Sequence, residues 1–186
     1  MNGIRGNVIV GQSGGPTAVI NSSLAGVFKT AKDRGANKVY GMLHGIQGLL
    51  QERYVDLEDH IKNDLDIELL KRTPSAYLGS CRFKLPDISQ DREIYDKIFD
   101  ILNKLEIEYF FYIGGNDSMD TIKKLSDYSL LNGSNIRLWV FQRPLIMIWQ
   151  LLIIHLVTEV LQNTSVPLQR KSSVMVWYMI SRMLLS

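Results

Sequence analysis

The chain has 186 residues, a formal net charge of +2, 46% hydrophobic and 22% charged residues, and one cysteine. This balance excludes wholesale disorder and a collagen-like chain, and it gives no electrostatic reason to expect a nucleic-acid partner. Cys81 has no second cysteine to pair with, which fits a reducing, cytoplasmic setting, and residues 1–6 lack the apolar run of a secretory signal.

Asn7-Val8-Ile9-Val10-Gly11 is a short apolar run ending in glycine and predicts a buried strand. Gln12-Ser13-Gly14-Gly15-Pro16-Thr17 reads as a turn. From Ala18 to Arg34, Val19, Ile20, Leu24, Val27 and Phe28 recur at helical spacing, and Gly35 closes that helix. Lys38–Leu43 reads as a second strand, followed by a glycine-punctuated loop, His44-Gly45-Ile46-Gln47-Gly48. Residues 49–72 alternate apolar and acidic patches, with a helix near Asp66–Arg72, and Thr73–Pro86 reads as loop. Asp91–Leu105 is amphipathic, with Ile94, Ile98, Ile101, Leu102 and Leu105 on one face. Tyr109–Ile113 predicts a strand, Gly114–Asp117 a turn and Ser118–Tyr128 a helix. The alternation of strand and helix implies an α/β fold, a doubly wound parallel sheet with helices on both faces.

Composition changes sharply after Arg137. Residues 1–137 hold all 14 glycines, whereas residues 138–186 hold no glycine, no aspartate and one acidic residue, Glu159. A domain needs glycine for positive-φ turns and Asp or Asn for caps and turns. The expected organisation is therefore a partial domain over 1–137 and an aberrant tail over 138–186. Within that tail Pro144–Val157 is apolar, but it contains Gln150 and His155 and falls short of the roughly 20 residues that a membrane span needs.

Two strand-to-helix turns, Gly11–Thr17 and Gly114–Ser118, are glycine-rich. In an open α/β sheet, ligands bind at the carboxyl ends of strands, where glycines admit a phosphate to backbone N–H groups and a helix N-terminus adds positive potential. The first turn is neither a Walker A loop nor GxGxxG, and either turn alone is as well explained by chain reversal. Asn116 and Asp117 follow an apolar strand, where a carboxylate can hold Mg²⁺ beside substrate phosphates, or where Asp117 or Ser118 can cap the next helix. Arg82, in Gly79-Ser80-Cys81-Arg82-Phe83, has a planar fork suited to phosphate oxygens, although a loop arginine is more often a solvated surface group. Cys81 reads as a packing residue. His44 and His60 lack metal-ligand spacing, and Glu58-Asp59 and Asp64–Glu68 read as a solvated face.

Three segments together resemble the phosphofructokinase family. Val10–Asn21 resembles its first phosphate loop, Gly79-Ser80-Cys81-Arg82-Phe83 its Gly-Ser-x-Arg-Phe loop, and Phe111–Thr121 its Gly-Gly-Asp-Gly-Ser donor loop. The resemblance implies phosphoryl transfer to the 1-hydroxyl of fructose 6-phosphate with Mg²⁺, in a homo-oligomer when the subunit is intact; net charge and hydropathy, taken separately, lead us to expect no nucleic-acid and no membrane partner. It places Gly14, Gly15, Gly115 and Ser118 on the donor, Arg82 on the charge of the transferring group, and Asn116 at the Mg²⁺-associated position. Asp117 stands where ATP-dependent members carry glycine, so pyrophosphate is the expected donor and ATP the alternative.

The tail then has an explanation in the genetic code. Taking the third base of each codon from Leu138 with the first two of the next permits a reading that contains Pro-Lys-Thr-Ile-Asp-Asn-Asp, the family's signature for the general base. Met and Trp have single codons, so Trp139–Val140 can only give Gly, Met147–Ile148 only Asp and Trp149–Gln150 only Ala. Each falls where the family pattern has that residue. The expectation is a frameshifted tail and a chain without the general base, inactive alone. A non-catalytic phosphate-binding module is the competing expectation.

Overall fold

The computed structural model describes residues 6–15, 17 and 19–142. Five strands form one sheet in the order β3-β2-β1-β4-β5. They are β1 (Asn7–Gln12), β2 (Val39–Met42), β3 (Tyr54–Asp56), β4 (Ile107–Gly114) and β5 (Arg137–Gln142). The helices are α1 (Ile20–Asp33), α2 (Gly45–Leu50), α3 (Asp64–Arg72), α4 (Arg92–Lys104) and α5 (Asn116–Leu131), with one 3₁₀ turn at Leu57–Asp59.

β1 is central and buried along its whole length, pairing in parallel with β2 on one side and β4 on the other. A strand covered on both faces has no use for alternation, which is why Val8, Ile9 and Val10 run together. Val8 and Val10 pack with Leu24, Val27 and Phe28 of α1 and with Ile67 and Leu70 of α3. Ile9 packs on the opposite face with Ile46 and Leu49 of α2, Tyr95, Ile98 and Leu102 of α4, and Leu125 of α5. Helices therefore cover both faces, as the strand–helix alternation implies. Each fully buried aliphatic or aromatic side chain contributes about 1.5–3 kcal/mol relative to an exposed one.

Two expectations are corrected. The segment read as a loop at His44–Gly48 starts helix α2, entered through His44 at φ 57° and Gly45 at φ 59°. The sheet is not wholly parallel, because β3 pairs antiparallel with β2 through Tyr40–Asp56, Gly41–Val55 and Met42–Tyr54. Three residues are too few to show a period, and the return needs only a short reversal after α2. The acidic patches serve local structure: Asp66 completes a capping box with Asn63, and Glu58 pairs with Lys32 at 2.8 Å.

β5 crosses the composition change after Arg137. Leu138 and Val140 are buried on the α4–α5 face, while Trp139 and Phe141 pack on the α1 face. This apolar run of alternating orientation satisfies a strand beside β4, whatever frame supplied it. Residues 143–186, including the apolar stretch Pro144–Val157, lie outside the described residues. Among the described residues no helix is long and apolar enough to cross a membrane.

Candidate functional site

β1 and β4 are adjacent and parallel, with Gln12 level with Ile113. Connection runs outward from β1 through α1 to β2, and the chain returns to place β4 on the other side of β1. The two glycine loops therefore leave the carboxyl ends of neighbouring strands at the point where strand order reverses, the place where such sheets bind ligands.

The first loop is held tightly. Ser13 N–H donates to the Ile113 carbonyl at 2.8 Å, and Gly14 N–H donates to the Cys81 carbonyl at 3.2 Å. Gly14 has φ 77°, a left-handed conformation that favours glycine. Its N–H is thus committed to the neighbouring loop. Ser80 Oγ also donates to the Gly14 carbonyl, and Ser13 Oγ approaches the Cys81 carbonyl at 3.5 Å. Pro16 and Ala18 of the same loop lie outside the described residues.

The second loop begins α5 earlier than its sequence suggests. Gly115 is the N-cap, Asn116 the first helical residue, and no side chain caps the helix. This corrects the reading of Asp117 or Ser118 as the cap. Ser118 is tucked beneath Gly114, where a Cβ would meet its Oγ at 1.9 Å and the Ser13 carbonyl at 3.2 Å. Glycine at 114 thus lets the two loops close on one another. Ser118 Oγ and, in the first loop, Thr17 Oγ1 are buried without a hydrogen-bond partner. Such orphans are few in native proteins and point to water or ligand.

Arg82 is exposed and makes no ion pair or hydrogen bond among the described residues. Its segment is fixed on both sides. Cys81 is buried, its Sγ 3.8 Å from the Tyr112 hydroxyl, a packing role as expected. Burial pushes the Tyr112 phenol far above its ordinary range, so it stays neutral beside the thiol. Asp117 projects from the first turn of α5 with its side chain 72% exposed, 4.0 Å from the ammonium of Lys84.

The structure thus brings together Gly14, Gly15, Arg82, Gly115, Asn116, Asp117 and Ser118 in three converging loops. Sequence reasoning assigned no role to Lys84, Gln12 or Asn21. Gln12 Nε2 donates to Asn21 Oδ1 at 3.0 Å and to the Ile20 carbonyl at 3.2 Å, while its Oε1 accepts from Leu78 N–H at 2.9 Å. Asn21 Oδ1 accepts from Tyr77 N–H at 2.8 Å, and its Nδ2 donates to the Thr73 carbonyl at 2.9 Å. These two buried amides bolt the segment leading to Arg82 onto β1 and α1. A glutamine closing an apolar strand and an asparagine in the first turn of a buried helix were the available signals.

No group of three His, Cys, Asp or Glu side chains able to hold a metal ion occurs among the described residues. One carboxylate, Asp117, beside the amide of Asn116 is nonetheless a donor set that suits Mg²⁺. That ion keeps several waters and is held by one or two carboxylates plus substrate phosphates.

Comparison with known proteins gives the family. The phosphofructokinase family profile matches residues 7–154. The pyrophosphate–fructose 6-phosphate 1-phosphotransferase of Rhodospirillum rubrum is 46% identical over 124 residues, covering 66% of this chain and 29% of that protein. An ATP-dependent 6-phosphofructokinase of Aliivibrio fischeri is 32% identical over 115 residues, covering 62% of this chain and 33% of its own. Among solved structures, a pyrophosphate-dependent phosphofructokinase from Nitrosospira multiformis superposes with a TM-score of 0.65 at 38% identity, over 72% of this chain and 32% of that one. The chain thus spans about a third of the length of these relatives. A profile match over most of its residues makes the chain a member of the phosphofructokinase family.

Proposed function

We propose that this chain carries the phosphoryl-donor half of a pyrophosphate-dependent 6-phosphofructokinase, which transfers phosphate to fructose 6-phosphate to give the 1,6-bisphosphate. The observation that carries the reading is the gathering of three phosphate-type loops at the carboxyl ends of β1 and β4, with α5 starting there uncapped. On this reading, Gly15 and Gly115 let the backbone approach the donor, Gly14 keeps the first loop's sharp turn, and Ser118 lends its unpaired hydroxyl. Arg82 stabilises charge on the transferring group, since phosphoryl transfer is catalysed mainly by positioning and electrostatics. Asn116 and Asp117 would share Mg²⁺ with the donor, and the ion would neutralise charge on the phosphate oxygens.

Asp117 sets the donor. An α-phosphate beside it would meet both bulk and a like charge. At 4 Å two unit charges in a water-like medium interact by only about 1 kcal/mol. Because Asp117 is largely exposed, bulk is the stronger of the two effects. The segment after Arg137 is read as out of frame, and with it the general base is lost. The 186-residue chain then binds donor without transferring it.

Calorimetric titration of this chain with pyrophosphate and with ATP, each with Mg²⁺, tests the reading. Pyrophosphate is expected to bind more tightly, Asp117→Gly to admit ATP, and Asp117→Asn, which keeps the bulk, to leave the preference largely intact. Tighter binding of ATP by the unsubstituted chain would refute the donor assignment. Formation of fructose 1,6-bisphosphate by the purified chain would refute the out-of-frame reading.

A further inference from the structure

The segment that carries Arg82 has two anchors, and only the first belongs to the glycine loops. Upstream, Leu78 and Tyr77 hang on Gln12 and Asn21, and the Cys81 carbonyl accepts from Gly14. Downstream, the strap is gripped by the Tyr95 hydroxyl of α4 at the Pro86 carbonyl and, next to it, by one lysine on α5. Lys124 Nζ donates to the Leu85 carbonyl at 2.9 Å and pairs with Asp87 at 3.0 Å and with Asp120, one turn earlier on its own helix, at 3.0 Å. An ammonium has three donors, and here each has an acceptor. The side chain is only 23% exposed, against 82% for Lys84. Between the anchors, Arg82 and Lys84 face outward while Phe83 packs into the α4 side of the core.

We propose that Lys124 is a positioning residue for the donor site: it ties the strap bearing Arg82 to the helix bearing Asp117, so that both reach the same phosphate group. The inference rests on the donor reading above. Lys124 lies two helical turns from Asp117, and the Leu85 carbonyl it grips is three residues beyond Arg82, so it acts through the strap and not by touching the donor. An isolated exposed ion pair would contribute little. What distinguishes this lysine is that one of its three partners is a backbone carbonyl of the strap itself. A side chain that grips backbone fixes the path of the chain, whatever the neighbouring side chains do. Its two carboxylate partners hold the ammonium charged, raising its pKa above the ordinary lysine value, so the tie persists through neutral pH.

The test uses the full 186-residue chain and Mg²⁺-pyrophosphate as the probe. Lys124→Met should weaken pyrophosphate binding about tenfold and speed hydrogen exchange of the amides at 82–88, with exchange in β1 and the rest of α5 unchanged. Lys124→Arg, which can still reach the Leu85 carbonyl and a carboxylate, should restore most of both. In an Arg82→Ala background, Lys124→Met should cost little further affinity, because the lysine works through that arginine. Equal binding with and without Lys124, or an undiminished cost in the Arg82→Ala background, overturns the clamp while leaving the donor reading standing. A chain whose unsubstituted form binds no pyrophosphate overturns the donor reading, and with it this claim on affinity.

Discussion

Helices α3 and α4 begin on side chains that accept from their first-turn amides: Asn63 from Asp66 N–H at 3.0 Å and Asp91 from Ile94 N–H at 3.3 Å. Helices α1 and α5, which follow the central strands β1 and β4, begin at Val19 and Gly115 with no side-chain cap. A side-chain cap contributes about 1 kcal/mol. The scaffold helices α3 and α4 have this contribution, short α2, entered through left-handed His44, does not, and the two that open onto the candidate site also do without it. A helix N-terminus favours an anion, and the start of α5 is where the proposed donor reading puts the phosphate. The difference teaches that a site can be recognised by where a fold leaves its ordinary stabilisation unused.

The buried amides beneath that site give the largest test of the comparison. Asn21→Ala would orphan the Tyr77 N–H, the Thr73 carbonyl and part of the Gln12 amide, each about 1–3 kcal/mol when left unpaired in the interior. A loss of roughly 3 kcal/mol or more in urea unfolding is expected, with pyrophosphate binding lost as well. A change below about 1 kcal/mol would show that the bolt between the loops is not what holds them.

A second test lies on the scaffold side, where Tyr95 of α4 donates from its hydroxyl to the Pro86 carbonyl. Burial pushes its phenol up to about 12 from 10.0. A raised folded-state value favours the neutral form, so its stabilisation is complete below about pH 10 and fades as pH climbs through about 12. Alkaline unfolding followed by circular dichroism should begin in that window. Tyr95→Phe should be less stable at neutral pH, by about 1 kcal/mol for the lost hydrogen bond, and lose less on going alkaline.

Two cap substitutions then address the contrast itself. Asn63→Ala should cost about 1 kcal/mol while pyrophosphate binding stays as it was. Gly115→Ser supplies α5 with the acceptor it lacks. It should change stability by only a few tenths of a kcal/mol yet weaken pyrophosphate binding, because the new side chain crowds the start of α5 where the proposed reading seats the anion. Titration calorimetry on both variants decides the matter. If Gly115→Ser binds as well as the parent, the missing cap has nothing to do with a ligand.

Much of this was legible in the chain. An apolar run ending in glycine, such as Val8-Ile9-Val10-Gly11, reads as a buried strand, and β1 is one. The spacing of Ile98, Ile101 and Leu102 fixes a helix and its inward face. Three loops with glycine and Arg82 in the right order specify the family. These signals are local, carried by periodicity and by residues with restricted or permissive backbones. What the tertiary structure alone decided are relations between segments far apart in sequence. The antiparallel pairing of β3, the start of α2 at a residue with positive φ, and the commitment of the Gly14 amide to Cys81 leave no mark at their own positions. Nor does the grip of Lys124 on Leu85, since the partners are 39 residues apart and only the closing of α5 against the strap brings them within 2.9 Å. A hydrogen bond reads distance in space, and the sequence specifies that distance only once every helix has packed.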